Sequence, residues 1–218
     1  LKLGLSQKDL ETLGLGGILH DIGKMLIPNE ILFKPGKLTS DEFAEMKRHA
    51  TYGYDILRNM QTIPLMVAHC AFQHHERLNG SGYPRGIKSE DIHLFGKILA
   101  VADVFDAVTS HRIYRSAMLP HEGLEILYAG SGSLYEPEII EAFRKSVAIY
   151  PYGLMVTLND GRKGLVVGQN KDLTERPVIR VVEEEGEDLE TPYDINLKDH
   201  LSLAIVDCDS LEKIAAVS

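Results

Sequence analysis

Cysteine is scarce in this chain: there are two in 218 residues, Cys70 and Cys208, far apart and in no CxxC arrangement. No disulfide framework is suggested, and a reducing, cytoplasmic setting is the default expectation. No apolar run approaches the length of a membrane-crossing helix, and no signal peptide pattern opens the sequence. Positive charge is also in short supply: 23 Lys and Arg stand against 32 Asp and Glu, for a net charge of −9. That balance argues against a nucleic-acid polymer as partner, because binding to a phosphate backbone rests on clustered cations. A small phosphate ligand is not excluded, since a local cation cluster can hold one inside an acidic protein. There is no GxxxxGK[ST] loop, no arrangement that reads as a serine or cysteine nucleophile, and no internal repeat.

What is present is ordinary in bulk. With 44% hydrophobic and 25% charged residues, the chain reads as a globular protein of one or two domains with a sizeable core. The opening LKLGLSQKDLE reads as a chain entered midway, with Ser6 as the cap of a helix, and suggests a fragment of a larger protein. From about 6 to 148 the pattern is mostly helical. Leu10, Leu13, Ile18 and Leu19 recur at roughly helical period between Ser6 and His20. Thr39 with Glu42 has the form of a capping box, opening a helix expected to reach about Arg58. Pro64 is placed in the first turn of a helix from Leu65 to His74. A loop is expected over 79–91, a long helix over 93–109, and shorter helices near 122–129 and 137–147. After Pro151 the pattern changes. Met155 to Leu158, the turn Asn159-Asp160-Gly161, and Gly164 to Val167 read as a β-hairpin. Further strands are expected over 178–182 and 203–206, with the acidic run 183–188 as a solvated hairpin tip. The expected fold is therefore mainly α, a helical domain over 1–150 followed by a small β-rich domain over 151–218.

Several residues carry chemistry. His20-Asp21 ends an apolar helix at LHDIGK, which alone is weak evidence, since a satisfied buried histidine is the commoner explanation. It gains weight from His49, from the adjacent His74 and His75, and from Asp103 in an otherwise apolar helix, where an unpaired carboxylate is costly. Successive helical residues diverge by about 100°, so His74 and His75 would suit two adjacent ions better than one. Asp21 has two oxygens and can bridge two ions while His20 binds one of them. Mixed imidazole and carboxylate ligands suit Fe, Mn, Zn, Co or Ni rather than Ca or Mg. A pair of ions roughly 3.5–4 Å apart is a common device for in-line hydrolysis of phosphate esters by an activated water.

HDIGK at 20–24, HHERLNGSGYPRG at 74–86 and ADVFDAVTSHRIYR at 102–115 closely resemble the HD-GYP family, a bacterial branch of the HD metal-dependent phosphohydrolases. The resemblance spans about 9–150, with the three motifs in the family's order, and it implies an HD-type helical bundle. It implies hydrolysis of the second messenger cyclic di-GMP by metal-hydroxide attack, to linear pGpG and in some members on to GMP. It also implies His20, Asp21, His49, His74, His75 and Asp103 as metal ligands. The metals would be two divalent ions, iron or manganese, with a third only in the complete protein. By the same resemblance Lys24 contacts phosphate, Gly82-Tyr83-Pro84 form the loop that names the family, and Arg112 and Arg115 are basic substrate contacts, grasping phosphate or stacking on guanine. Whether Tyr83 faces the ligand or a partner is open. Asp106 is read as orienting a ligand or capping the next turn, and Glu76 as supporting a ligand rather than being one. His69, His93, His111, His121 and His200 match no ligand position. Expected partners are cyclic di-GMP, signalling proteins such as GGDEF-domain cyclases, and a second copy of the chain.

There are two departures. Family members carry a further helix before HDIGK with a histidine and sometimes a glutamate for the metal site, and Leu78-Asn79 stands where an aromatic and an aspartate are common. Two alternatives stay open: a binding module without turnover, and an HD phosphohydrolase acting on another nucleotide.

Overall fold

The structure is a computed structural model and describes residues 3–110, 118–171 and 173–209. Helix α1 (Gln7–Leu19) starts where its cap predicts: the Ser6 hydroxyl accepts from Asp9 N–H, and the Asp9 carboxylate accepts from Ser6 N–H. The chain then turns through His20 and Asp21 into a 3-10 turn, Ile22–Leu26, and a short α2 (Asn29–Leu32). The Thr39–Glu42 capping box is present and opens α3 (Ser40–Lys47). The single helix expected to reach Arg58 is two, with α4 (His49–Arg58) beginning beyond Arg48. The His49 ring takes the Met46 carbonyl at 2.7 Å, the group an uninterrupted helix would offer to the next turn's backbone.

Pro64 caps α5 (Leu65–Gln73). A loop containing the 3-10 turn Ser89–Asp91 leads to α6 (Leu94–Thr109), followed by α7 (Pro120–Ala129) and α8 (Pro137–Arg144). Helix α5 is the hub. Its Val67, Ala68 and Ala71 are fully buried with Leu57 against Leu15, Leu19 and Ile22, while its Cys70 joins Phe95 and Leu99. Burial pushes the Cys70 thiol up to about 12, so it serves as a small apolar side chain.

The strands β1 (Met155–Leu158), β2 (Lys163–Gly168), β3 (Val178–Glu184), β4 (Glu187–Asn196) and β5 (Ile205–Cys208) form one antiparallel sheet in the order β4-β3-β2-β1-β5. The β1–β2 hairpin closes through Asn159-Asp160-Gly161 with Leu158 N–H donating to the Arg162 carbonyl. Val156, Leu158, Val166, Ile179, Val181 and Ile195 alternate inward as a core. The acidic run forms the β3–β4 turn at Glu185-Gly186, as expected. Strand β4 was not expected from EDLETPYDIN, which is acidic and contains Pro192. It is an edge strand, paired only to β3 and mostly exposed, where charge and proline are tolerated. The final strand begins two residues later than the pattern suggested, at Ile205.

Helices give way to strands between Arg144 and Met155. By contact, the chain divides into one compact unit of Leu1–Val104 with Leu127–Ala142 and another of Phe105–Ile126 with Phe143–Ser218. Among the described residues no helix is long and apolar enough to cross a membrane.

Leu57→Ala is expected to cost about 2–5 kcal/mol of stability, because it empties a fully buried position. Thr39→Ala should cost about 1 kcal/mol through loss of the cap. Urea unfolding followed by circular dichroism measures both.

Candidate metal centre

Most of the chemically reactive side chains stand at helix ends, and one, Asp103, stands inside a helix. His20 caps the C-terminus of α1 and Asp21 follows it; Lys24 lies in the 3-10 turn; His49 begins α4; His74 caps α5 and His75 follows; Asp103 projects from α6. The His-Asp turn can lie on α4 only because residue 23 is glycine. A Cβ there would collide with the His49 carbonyl and Gly53 N.

Three of the rings are oriented the same way. His20 Nδ1 donates to the Gly17 carbonyl at 2.6 Å, His49 Nδ1 to Met46 at 2.7 Å and His74 Nδ1 to Ala71 at 2.9 Å. A carbonyl only accepts, so each Nδ1 carries the proton, and in the neutral ring each Nε2 presents a lone pair. For His49 and His74 those lone pairs converge. Their Nε2 atoms are 3.4 Å apart and lie 3.3 and 3.8 Å from Asp21 Oδ1. Asp21 Oδ1 is buried and has no hydrogen-bond partner. Three electron-pair donors thus face one another with no proton between them, an arrangement that repels itself unless a cation sits there. Asp21, His49, His74 and His75 each offer a ligand atom within 4.8 Å of the others. His20 Nε2 and His75 Nδ1 extend the cluster to Asp103, at 3.7 Å from its Oδ1 and Oδ2 respectively.

The electrostatics agree. Burial lowers the proton affinity of His49, brings His74 down to about 4 and, helped by the neighbouring His74, His75 down to about 2. All three are held neutral, the form that ligates a metal. Burial also opposes charge on Asp21, but His20 and Lys24 outweigh it and keep the carboxyl ionised well below its usual range. The Lys24 ammonium is 2.5 Å from Asp21 Oδ2. His20 is the exception: against burial, the Asp103 and Asp21 carboxylates raise it to about 10, so its Nε2 attracts a positive charge of either kind, proton or metal.

The HD domain family profile matches residues 1–139. The chain belongs to the HD domain family. A profile for the KOW domain associated with HD domains matches residues 155–217. An HD domain implies divalent metal binding, and the His/Asp cluster fits that role. Over 168 residues the chain is 40% identical to a cyclic di-GMP phosphodiesterase of Pseudomonas aeruginosa, covering 77% of this chain and 40% of that protein. It is 45% identical over 148 residues to the cyclic di-GMP phosphodiesterase response regulator RpfG of Xanthomonas campestris pv. campestris, covering 67% and 39%. With a 3'3'-cGAMP-specific phosphodiesterase of Vibrio cholerae the identity is 44% over 128 residues, covering 58% and 29%. The chain spans about two fifths of the length of the first of these relatives. An HDG"Y"P protein from Bdellovibrio bacteriovorus shares the fold, with a TM-score of 0.53 at 23% identity over 64% of this chain and 44% of that one.

Within the HD domain the structure brings His20, Asp21, Lys24, His49, His74, His75 and Asp103 together. Arg112 and Arg115 lie outside the described residues, as does His111. The expected divergence of His74 and His75 assumed a helix through both. Helix α5 ends at Gln73, and the two rings lie 4.0 Å apart, so both reach one cluster. Tyr83 packs on the centre, its ring 4.5 Å from that of His75. Asp106 is exposed and accepts from the Ser110 hydroxyl, closing the last turn of α6. His69 lies edge-on to Tyr54, His121 contacts the Tyr150 hydroxyl, and His93 accepts from Phe95 N–H.

Sequence reasoning passed over Gln73. Its buried amide oxygen accepts from His93 N–H at 2.8 Å, tying α5 to the start of α6. A polar residue at the apolar end of α5 was the available signal.

His74→Ala and Asp21→Ala are expected to weaken divalent-metal binding by more than about 100-fold, beyond the loss usual for a supporting residue. His69→Ala, one turn earlier on α5, should leave it unchanged. Metal titration and elemental analysis of the folded variants check both.

Proposed function

We propose that this HD domain hydrolyses cyclic di-GMP to linear pGpG, with residues 1–150 as the hydrolase and 151–218 as an appended β-domain. The observation that carries the reading is the convergence of His49 Nε2, His74 Nε2 and the partnerless Asp21 Oδ1, acceptors that call for a cation, in a chain whose relatives are named cyclic dinucleotide phosphodiesterases. His20, Asp21, His49, His74, His75 and Asp103 would hold two divalent ions, iron or manganese by the mixed imidazole and carboxylate character of the set. Such ions supply Lewis acidity and an activated water when bound.

The chain's own groups do the rest. Asp21 stays ionised because His20 and Lys24 both lie against its Oδ2, leaving Oδ1 turned toward the other imidazoles. Lys24 is only half-buried and so can turn its ammonium to a phosphate, stabilising charge as it develops on the phosphoryl oxygens. The neutral imidazoles of His49, His74 and His75 bind without competing protons at neutral pH. Tyr83 covers one side of His75, and Arg112 and Arg115 are assigned to the substrate on the sequence resemblance alone.

A second reading has its own support: relatives from Vibrio cholerae named 3'3'-cGAMP-specific phosphodiesterases are 37–44% identical to this chain. The deciding experiment incubates the purified chain anaerobically with Fe²⁺ or Mn²⁺ and either cyclic dinucleotide, and resolves the products by chromatography. The expected result is pGpG from cyclic di-GMP at the higher rate. Faster loss of 3'3'-cGAMP would favour the second reading, and tight binding of both without product would make the domain a binding module. Lys24→Met should retain metal and lose about 100-fold in kcat.

A further inference from the structure

We propose that Glu76 is a positioning residue. Its carboxylate fastens the loop 79–91 so that Tyr83 braces His75, and this brace orients one histidine of the metal centre. The inference rests on reading the His/Asp cluster as that centre.

Four consecutive residues, Gln73-His74-His75-Glu76, divide their work. The inner pair faces the centre; the outer pair is buried and spent on backbone. Glu76 is 2% exposed, and a carboxylate so deep needs hydrogen bonds. Each of its oxygens has one, from Arg85 N–H at 2.9 Å and Ile87 N–H at 3.1 Å, both on the returning limb of the loop. The outgoing limb is held by close approach. Gly82 lies so near the backbone of 75–77 that a Cβ there would collide with the His75 carbonyl, and Tyr83 N–H donates to that same carbonyl at 3.2 Å. The loop is therefore fastened on both sides of Tyr83.

His75 is the ring that needs this. His20, His49 and His74 are each oriented by an Nδ1–H bond to a backbone carbonyl. Among the described residues the His75 ring makes no hydrogen bond, and its Nδ1 is 3.7 Å from Asp103 Oδ2. Apart from the neighbouring His74 ring at 4.0 Å, what lies against it is the Tyr83 ring, at 4.5 Å and tilted by 30°, itself edge-on to Phe43. An aromatic brace thus takes the place of the missing carbonyl, and Glu76 sets where the brace sits. By linkage, a ligand that lifts the loop from His75 must be weakened by bound metal to the same degree that it weakens the metal.

The test uses Co²⁺ alone, whose visible spectrum reports the geometry of its ligands. Glu76→Gln keeps the shape but turns an NH₂ toward one of the loop N–H groups. It should bind Co²⁺ about 10-fold more weakly than the parent chain and shift its spectrum. Tyr83→Ala, which leaves the buried carboxylate in place, should do the same. The double variant should be no worse than the more affected single, because both act through one contact. His74→Ala is the control and should lose Co²⁺ altogether. If His74→Ala fails to lose it, the centre itself is misread. If it does lose it while Glu76→Gln and Tyr83→Ala keep the parent affinity and spectrum, the latch is wrong and the centre stands. Additive losses in the double variant would also overturn the latch, since Glu76 would then not act through Tyr83. Circular dichroism of each variant separates these outcomes from unfolding.

Discussion

A buried carboxylate oxygen without a hydrogen bond, facing imidazole lone pairs, is the constraint around which the helical unit is organised. Asp21 Oδ1, His49 Nε2 and His74 Nε2 converge within 3.8 Å of one another. Such a set is costly in a low-dielectric interior without a cation. The backbone enforces the arrangement. Each imidazole is anchored by its other nitrogen to a carbonyl one turn back, so the lone pair cannot rotate away. At the break between α3 and α4 the Met46 carbonyl serves such a ring.

Placing His20, His49, His74 and His75 at or beside helix ends solves a geometric problem. Along a helix, successive side chains diverge by about 100° and neighbours cannot share a target. Where a helix stops, the chain is free to bring them together, as His74 and His75 show at the end of α5. The ends are then fixed by close backbone approach. Gly23 lets the His-Asp turn lie on α4, and Gly82 lets the Tyr83 loop lie on the end of α5. Both are glycines of the recognised motifs, which gives those motifs a steric meaning as well as a chemical one.

With a net charge of −9, the chain as a whole repels anions. Attraction has to be local, and the described cation at the centre is Lys24, held against Asp21. In the sheet the described cations Arg162, Lys163 and Arg180 are each paired with a carboxylate.

Much of this was legible in the sequence. The cap at Ser6, the capping box at Thr39, the change from helices to strands near Pro151 and the β1–β2 turn are local events, governed by residues three or four apart, and local chemistry reads them. The histidines and aspartates of the cluster were legible through their motifs taken together, since each alone has a bland explanation. Strand β4 was not, since an edge strand needs only one partner and tolerates a polar, proline-bearing sequence. Nor were the meeting of His74 with His75 or the commitment of Glu76 to Arg85 and Ile87 N–H groups. The residue types, and so the capacity to hold a metal, were settled by the sequence alone. Which nitrogen carries the proton, which oxygen is left without a partner and which side chain packs on which ring were decided only by tertiary structure, because a hydrogen bond or ring contact is a fact about two groups that the fold brings together.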